Sequence, residues 1–476
     1  MSEILKIFKN SGWMMSSQII TAICGFLWTI IIARYLGASN LGILSFAISL
    51  SVVFGMFMDF GISQLLIRDV SREHNLLPGI LNNAIPLKII SSIFVISFIG
   101  LILYLKGDTK IVITVCLLIG IENLFVNMNL IFSAVFQAYE KMAYTAKGTL
   151  INSLILLSLV IICAYLNLGL IGITLSYLIS YIISYLYLRI QVSKKIYSPK
   201  YKFNFKYWKL LIKRSIPFGL MNLFNSIYFN IDMAMLGFLT TAFSTGIYNA
   251  SYKIITILTT LYTVYTAVIF PVMSKLYKNS DNLLKLSYEK SVKYLLLISI
   301  PISIGVFIYA ESIITLIYGK SYISSSIIIQ FLIFTIPFLF INGSGGLLLN
   351  SIHKERTNTK IYGTAVLVNV LLNLFLISQY QELGAAISTV VSEIYIFVLM
   401  FILIYKTDYH PSIKILYDVI KIIISSVIMG LVLYYIGVNL WMGTILGIII
   451  YFICLILLRL FDEIDKSIIN NIIHRK

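Results

Sequence analysis

Residues 86–105 have the sequence PLKIISSIFVISFIGLILYL, and this stretch shows the pattern that determines the fold. It is apolar throughout except for Lys88 near its start and a few small polar residues. A helix of about 20 apolar residues spans the hydrocarbon core of a bilayer, so the stretch is predicted to cross a membrane.

The same pattern recurs along the chain and predicts an all-α polytopic membrane protein with about 14 transmembrane helices. The expected spans have the approximate limits 12–33, 41–62, 86–105, 111–133, 149–166, 170–190, 216–239, 246–270, 291–310, 325–349, 361–379, 383–405, 415–436 and 439–458. With 59% hydrophobic and 12% charged residues, the chain has little left for a soluble catalytic domain, and we expect no enzyme activity. Gly319-Lys320-Ser321 resembles the end of a phosphate-binding loop but lacks its earlier glycine, so an ATP-driven pump is not expected.

The basic residues predict the orientation. If the N-terminus is cytoplasmic, only Arg34, Lys106, Lys110 and Lys320 lie on the outer side, and Lys253 lies within the outer half of a span. The other 31 of the 36 Lys and Arg residues lie in inner loops, tails and span ends. Basic loops resist translocation, which predicts cytoplasmic termini in a bacterial cytoplasmic membrane and explains the charge without nucleic-acid binding.

Weak internal echoes predict two six-helix lobes of parallel orientation. Leu36-Gly37 is echoed by Leu236-Gly237, residues 137–141 by 350–354, and Gly172 by Gly384. Repeated bundles around a midplane site are typical of secondary transporters. The expected domains are 1–190, an N-terminal six-helix lobe; 191–215, a basic cytoplasmic connector; 216–406, a C-terminal six-helix lobe; and 407–476, two additional helices and a cytoplasmic tail. Aromatic residues alternate with the basic ones in the connector, which fits either an amphipathic element on the inner leaflet or a plain linker.

Polar stripes within the spans indicate faces that avoid lipid. One contains Asn222, Asn225 and Asp232, and another continues from Asn249 and Lys253 through three threonines. Asp232 and Lys253 are expected at similar depth, either as a structural ion pair or with Lys253 available to an anionic substrate.

Other charged residues have two interpretations each. Arg34 either snorkels to the headgroups or lines an outer vestibule. Asp59, Glu122 and Glu393 are either protonated packing groups or members of an ion-coupling site for H⁺ or Na⁺. Lys88 is a candidate for free positive charge at the inner mouth. The histidines and cysteines show no ligand spacing, so neither a metal site nor another cofactor is expected.

Four motifs resemble the polysaccharide-exporter branch of the multidrug/oligosaccharidyl-lipid/polysaccharide superfamily, particularly Wzx-type O-antigen flippases. The stretches that carry the resemblance are Ala33-Arg34-Tyr35-Leu36-Gly37 with Gly42-Ile43, Asp59-Phe60-Gly61 through Arg68-Asp69-Val70-Ser71, Ile231-Asp232 with Leu236-Gly237, and Gly246-Ile247-Tyr248 with Tyr252-Lys253.

The resemblance implies a V-shaped, MATE-like transporter that moves an undecaprenyl-diphosphate oligosaccharide from the inner to the outer leaflet. It also implies lipopolysaccharide or other surface-polysaccharide synthesis, with a polymerase and glycosyltransferases as partners. The acidic residues within the spans favour an alternative, a cation-coupled multidrug or small-solute exporter.

Overall fold

The computed structural model describes residues 2–463, 465 and 467, and the side chains at positions 2–12, 15, 16, 221, 225, 264, 267 and 279 lie outside that description. Every regular element in this part of the chain is a helix. The chain divides into two compact units, Met1–Gly246 and Ile247–Lys476, and each is described by itself.

Unit one contains seven helices and the first turns of an eighth. They are α1 (Ser2–Asp59), α2 (Ile62–Arg72), α3 (Leu77–Lys106), α4 (Lys110–Ala138), α5 (Met142–Tyr165), α6 (Gly169–Lys195), α7 (Phe205–Leu239) and the beginning of α8 (Ala242–Asn279).

Unit two contains the rest of α8 and the helices that follow it. They are α9 (Asp281–Ile308), α10 (Ala310–Tyr318), α11 (Ser325–Leu332), α12 (Thr335–Ser351), α13 (Glu355–Tyr405), α14 (Ile413–Ile436) and α15 (Leu440–Leu457).

The number of membrane crossings agrees with the prediction. Ten stretches of the described chain are long and apolar enough to span a bilayer, or eleven if the bent pair within α8 is one span. Both α1 and α13 contain a break, at Gly37 and at Gln381, so each supplies two crossings. With α7 added, the described helices account for the fourteen predicted crossings.

The end of α1 turns sharply into α2 through Phe60 and Gly61, whose φ angles are 51° and 78°. A Cβ atom on Gly61 would lie 2.4 Å from the backbone nitrogen of Gly219 in α7. Glycine is therefore required at Gly61 for both the left-handed backbone and the close approach of α7.

A second glycine contact joins two of the segments that the sequence echo aligns. A Cβ atom on Gly42 would lie 1.7 Å from the carbonyl oxygen of Ala242, and one on Gly246 would lie 1.9 Å from that of Ala38. The backbones of 38–42 and 242–246 therefore touch directly, a packing that only small residues permit.

The other echo corresponds to repeated hydrogen bonds within each unit. Ser176 donates to the carbonyl of Gly172, and Ser388 donates to that of Gly384, both at 2.9 Å. Likewise, the Asn129 amide donates to the Tyr181 carbonyl at 3.2 Å, and the Asn342 amide donates to the Glu393 carbonyl at 2.9 Å. Similar hydrogen bonds therefore occur at echoed positions of the two units, and the division into two repeated lobes stays a prediction.

The connector between α6 and α7 is ordered against unit one. The backbone N–H groups of Lys200 and Lys202 donate to the side chain and the carbonyl of Asn82, at 2.7 and 3.0 Å. The Asn204 side chain caps α7 by accepting from the N–H of Tyr207. Trp208 and Leu211 then enter the core formed by α2, α3 and α4. The segment is therefore packed on unit one, and its contact with the inner leaflet stays a prediction.

Candidate transport site

Four predicted site residues lie in unit one on α1 and α7. Arg34 is exposed and lies three residues before the break in α1, and Asn222 is exposed on α7. Asp232 lies further along α7, with 5% of its surface exposed. The side chain of Asn225 lies outside the described part of the structure.

Asp59 belongs to a buried polar cluster that joins α1, α2, α3 and α4. The ammonium of Lys88 forms an ion pair with Asp59 and donates to Ser63 Oγ at 3.0 Å and to the Asn127 carbonyl at 2.9 Å. Ser63 in turn donates to Asp59 at 2.7 Å. This arrangement satisfies both charges away from lipid.

The expectation of free positive charge at Lys88 is wrong. The residue is fully buried, and its ammonium is held by three groups. Sequence reasoning missed the pair because hydropathy gives only depth along a span. A signal was present nonetheless: Asp59 and Lys88 lie at similar distances from the inner ends of neighbouring predicted spans.

Glu122 lies alone on the inner face of α4, with 8% of its surface exposed. Among the described residues, none donates a hydrogen bond to its carboxylate. The phenols of Tyr177 and Tyr181, on α6, lie nearby and interact electrostatically with this carboxyl group. A carboxyl group in such a place is most stable when it is protonated or holds a cation.

Lys253 lies on α8 in unit two, where its side chain is half-buried. Its ammonium makes no hydrogen bond or ion pair with the described residues of its own unit. Asn249 precedes it by one turn, and the hydroxyl of Thr256 donates to its carbonyl at 2.8 Å. Asp232 belongs to unit one, so the pairing of Asp232 with Lys253 stays a prediction.

Glu393 has a defined partner within unit two. The Asn342 side chain donates both to its carboxylate oxygen Oε2, at 2.8 Å, and to its backbone carbonyl. Both residues are at least 97% buried. One amide thus fixes α13 against α12 at a charged position.

An apolar groove of about 460 Å³ lies between α9, α14 and α15 in unit two. Its wall includes Pro301, Gly305, Tyr309, Gly443 and Ile448. The Tyr309 ring packs so closely on Gly443 that a Cβ there would meet its hydroxyl at 1.9 Å. The two glycines of the Gly443-x-x-x-Gly447 spacing therefore let α15 approach its neighbours.

Comparison with known proteins identifies relatives of the whole chain. The family model described as polysaccharide biosynthesis protein matches residues 7–277, and the MatE model matches residues 217–375. The capsular polysaccharide biosynthesis protein CapF of Staphylococcus aureus is 24% identical over 81% of this chain and 96% of its own. The teichuronic acid biosynthesis protein TuaB of Bacillus subtilis is 31% identical over 27% of the chain.

Solved structures share the fold. The lipid II flippase MurJ in an inward closed conformation has a TM-score of 0.77 at 19% identity and covers 94% of this chain and 98% of its own. An inward-facing multidrug resistance MATE family transporter has a TM-score of 0.63 at 12% identity, over 81% and 94%. The family model covers more than half of the sequence, and the chain belongs to the polysaccharide biosynthesis protein family of membrane transporters.

Proposed function

We propose that this protein is a flippase that moves an undecaprenyl-diphosphate-linked oligosaccharide from the inner to the outer leaflet by alternating access. The proposal is supported by the family and by the coverage of CapF, a capsular polysaccharide protein. It places both termini in the cytoplasm, as the distribution of basic residues predicts. Glycosyltransferases supply the substrate and a polymerase consumes it.

Lys253 is the observation that carries the proposal. A half-buried ammonium without a partner in its own unit is costly in a membrane helix unless a ligand or water compensates it. A diphosphate supplies several acceptor oxygens for such a donor. We propose that Lys253 contacts the diphosphate, with Asn222, Asn225, Asn249, Asp232 and Arg34 along the path of the sugar.

The groove between α9, α14 and α15 suits the lipid part of the substrate. Its walls are hydrocarbon and aromatic side chains from membrane helices, which offer a polyprenyl chain a place without exposing it to water. Ile448 lies on its wall and is 55% exposed, whereas the next residue, Ile449, is 49% exposed and outside it.

Glu122 is the best candidate for ion coupling among the three acidic residues. Asp59 is neutralised by Lys88, and Glu393 is held by Asn342. Glu122 receives no hydrogen bond from the described residues, so a proton or Na⁺ there changes its interactions the most.

The alternative is a cation-coupled multidrug or small-solute exporter, favoured by the MatE match over residues 217–375. The two functions predict opposite substrate charges. Transport of an organic cation that is abolished by Glu122→Gln but unaffected at Lys253 would favour the exporter.

The test uses purified protein in liposomes with a fluorescent undecaprenyl-diphosphate oligosaccharide, whose transfer to the outer leaflet is read by an impermeant quencher. Lys253→Ala should slow transfer by about tenfold or more, because a hydrogen bond to a charged group contributes about 1.5–3 kcal/mol. Lys253→Arg should keep part of the rate because it keeps the charge. Ile448→Trp should also slow transfer by obstructing the groove, and Ile449→Trp should not.

Protein abundance and monodispersity, measured beside transfer, separate an effect on transport from an effect on folding. Lys253→Ala strands no partner in its own unit, so its abundance and monodispersity should equal those of the wild type. Full transfer by this variant would reject a role for Lys253 in binding the diphosphate. Equal losses for Ile448→Trp and Ile449→Trp would reject the groove as the site of the lipid chain.

A further inference from the structure

A second groove lies in unit one, apart from the proposed transport residues. It has a volume of about 660 Å³ and is lined chiefly by aromatic rings. The rings belong to Phe54 and Phe57 of α1, Phe60 of the turn after it, Phe94 and Phe98 of α3, and Trp208 of α7.

This phenylalanine groove opens on the lateral face of its helices. Phe94 is 72% exposed, Ile90 is 46% exposed and Phe57 is 43% exposed, and all three residues line it. The helices α1 and α3 are long and apolar enough to span a membrane, and exposed apolar rings on such helices fit contact with lipid chains. Phe54 of α1 and Phe98 of α3 pack edge to face, with ring centroids 5.8 Å apart, and so form part of the groove wall.

Lysines flank the groove where α7 closes it. Trp208 and Ile212 of α7 line the groove, and each is followed directly by an exposed lysine, Lys209 and Lys213. Successive side chains on a helix point about 100° apart, so both ammonium groups lie on the flank next to the groove.

Most of the positive charge in this region is not neutralised by the protein, although Arg214 pairs with Asp69 of α2. The sequence contains no Asp or Glu between Glu140 and Asp232. Within the described chain, Lys209 and Lys213 form no ion pair. The exposed ring of Phe205, 4.9 Å from Trp208, adds an apolar contact beside the lysines. Exposed lysines and aromatic rings on one amphipathic element fit a surface of anionic headgroups.

We propose that the phenylalanine groove binds one anionic phospholipid of the surrounding bilayer, with an acyl chain along the aromatic wall of the groove and its phosphate at Lys209 and Lys213. A bilayer phospholipid is favoured over the transported lipid because the groove opens sideways to lipid that is present in large excess. Bound there, the phospholipid links the beginning of α7 to α3. This site goes beyond the proposed function, and the proposal does not depend on which glycan is carried.

The test measures lipids retained by the full-length protein. The protein is reconstituted in nanodiscs of phosphatidylcholine mixed with phosphatidylglycerol, released into mild detergent and examined by native mass spectrometry. The wild type should retain phosphatidylglycerol in preference to phosphatidylcholine. K209Q/K213Q should lower that preference severalfold, and Ile90→Trp, which fills the groove but keeps both charges, should lower total lipid retention at this site.

Two matched controls define the outcome. K194Q/K195Q removes two exposed lysines at the end of α6, and Ile93→Trp enlarges a 56% exposed residue of α3 outside the groove. Both should retain phosphatidylglycerol as the wild type does. Equal effects of the test and control variants would overturn the site in favour of diffuse attraction. Displacement of the retained lipid by equimolar undecaprenyl diphosphate would overturn it in favour of the transported lipid.

Discussion

Lys293 of α9 binds the segment that follows α15. Its ammonium donates to Asp465 at 2.7 Å and to the Leu460 carbonyl at 2.9 Å, and it lies 3.1 Å from Asp418. Only 1% of its surface is exposed. Asp465 also accepts from Lys290 and Tyr294, so the segment after α15 is held by a network rather than by one bond.

We expect Lys293→Met to destabilise the protein by about 3–5 kcal/mol, because it leaves buried carboxylates without their cation. Thermal unfolding of the purified protein measures this. Lys278→Met, at an exposed position, is the control and should change little. Adding Asp465→Asn to Lys293→Met should restore part of the lost stability. A double variant that is less stable than Lys293→Met alone would contradict the network.

The same network predicts a dependence on pH. Burial opposes ionisation of Asp465, but hydrogen bonds from Lys290, Lys293 and Tyr294 outweigh it, and the pKa is lowered. A lowered pKa gives stability that is complete above the unfolded value of about 3.9 and is lost as the pH falls through the folded value. Unfolding temperature should therefore drop more steeply below pH of about 4 in the wild type than in Asp465→Asn. Parallel curves would show that Asp465 is not responsible.

Helices meet through glycine at two places in unit one, and these contacts constrain whole elements. The backbone contact of Gly42 with Ala242 leaves no room for a side chain. In the proposed topology, the segments 38–42 and 242–246 lie at the outer ends of their spans, and we propose that they separate when the site opens outward.

Gly42→Val should therefore prevent these segments from returning to close contact, and flipping should slow because the outer side no longer closes. Overpacking should also lower the stability of the protein by about 1–3 kcal/mol. The fluorescent-lipid assay and thermal unfolding measure the two effects. Gly363→Val is the matched control, since nothing lies within 4 Å of a Cβ at that helical glycine. Wild-type flipping by Gly42→Val would show that the contact is dispensable.

The positions of the membrane-spanning helices could be predicted from the sequence better than the side-chain contacts between them. Long apolar stretches determine where helices cross, so the fourteen crossings followed from hydropathy, and the Gly172/Gly384 echo coincides with similar hydrogen bonds in the two units. Contacts between helices do not follow from hydropathy. From the sequence, Lys88 was expected at the inner mouth of the transporter, but in the structure it is buried between α1 and α4. The network at Lys293 was also missed, because Asp465 follows the last span and seemed part of a solvated tail.

At the scale of the whole molecule, orientation in the membrane is the property to test. Lys202, Lys278 and Lys110 are all exposed, so labelling of cysteines there depends on the side and not on burial. An impermeant thiol reagent added to intact cells should label Lys110→Cys and spare the other two. Labelling of Lys202→Cys from outside would reverse the proposed topology.

The paired bonds Asn129–Tyr181 and Asn342–Glu393 tolerate different side chains at the second residue. In both bonds the acceptor is a backbone carbonyl, so the bond itself does not depend on the side chain of Tyr181 or Glu393. That side chain is a phenol in unit one and a carboxylate in unit two. The location of the acidic group is therefore not determined by these two hydrogen bonds, and a chain in which the two residues were exchanged could form the same bonds with the acidic group in the other unit.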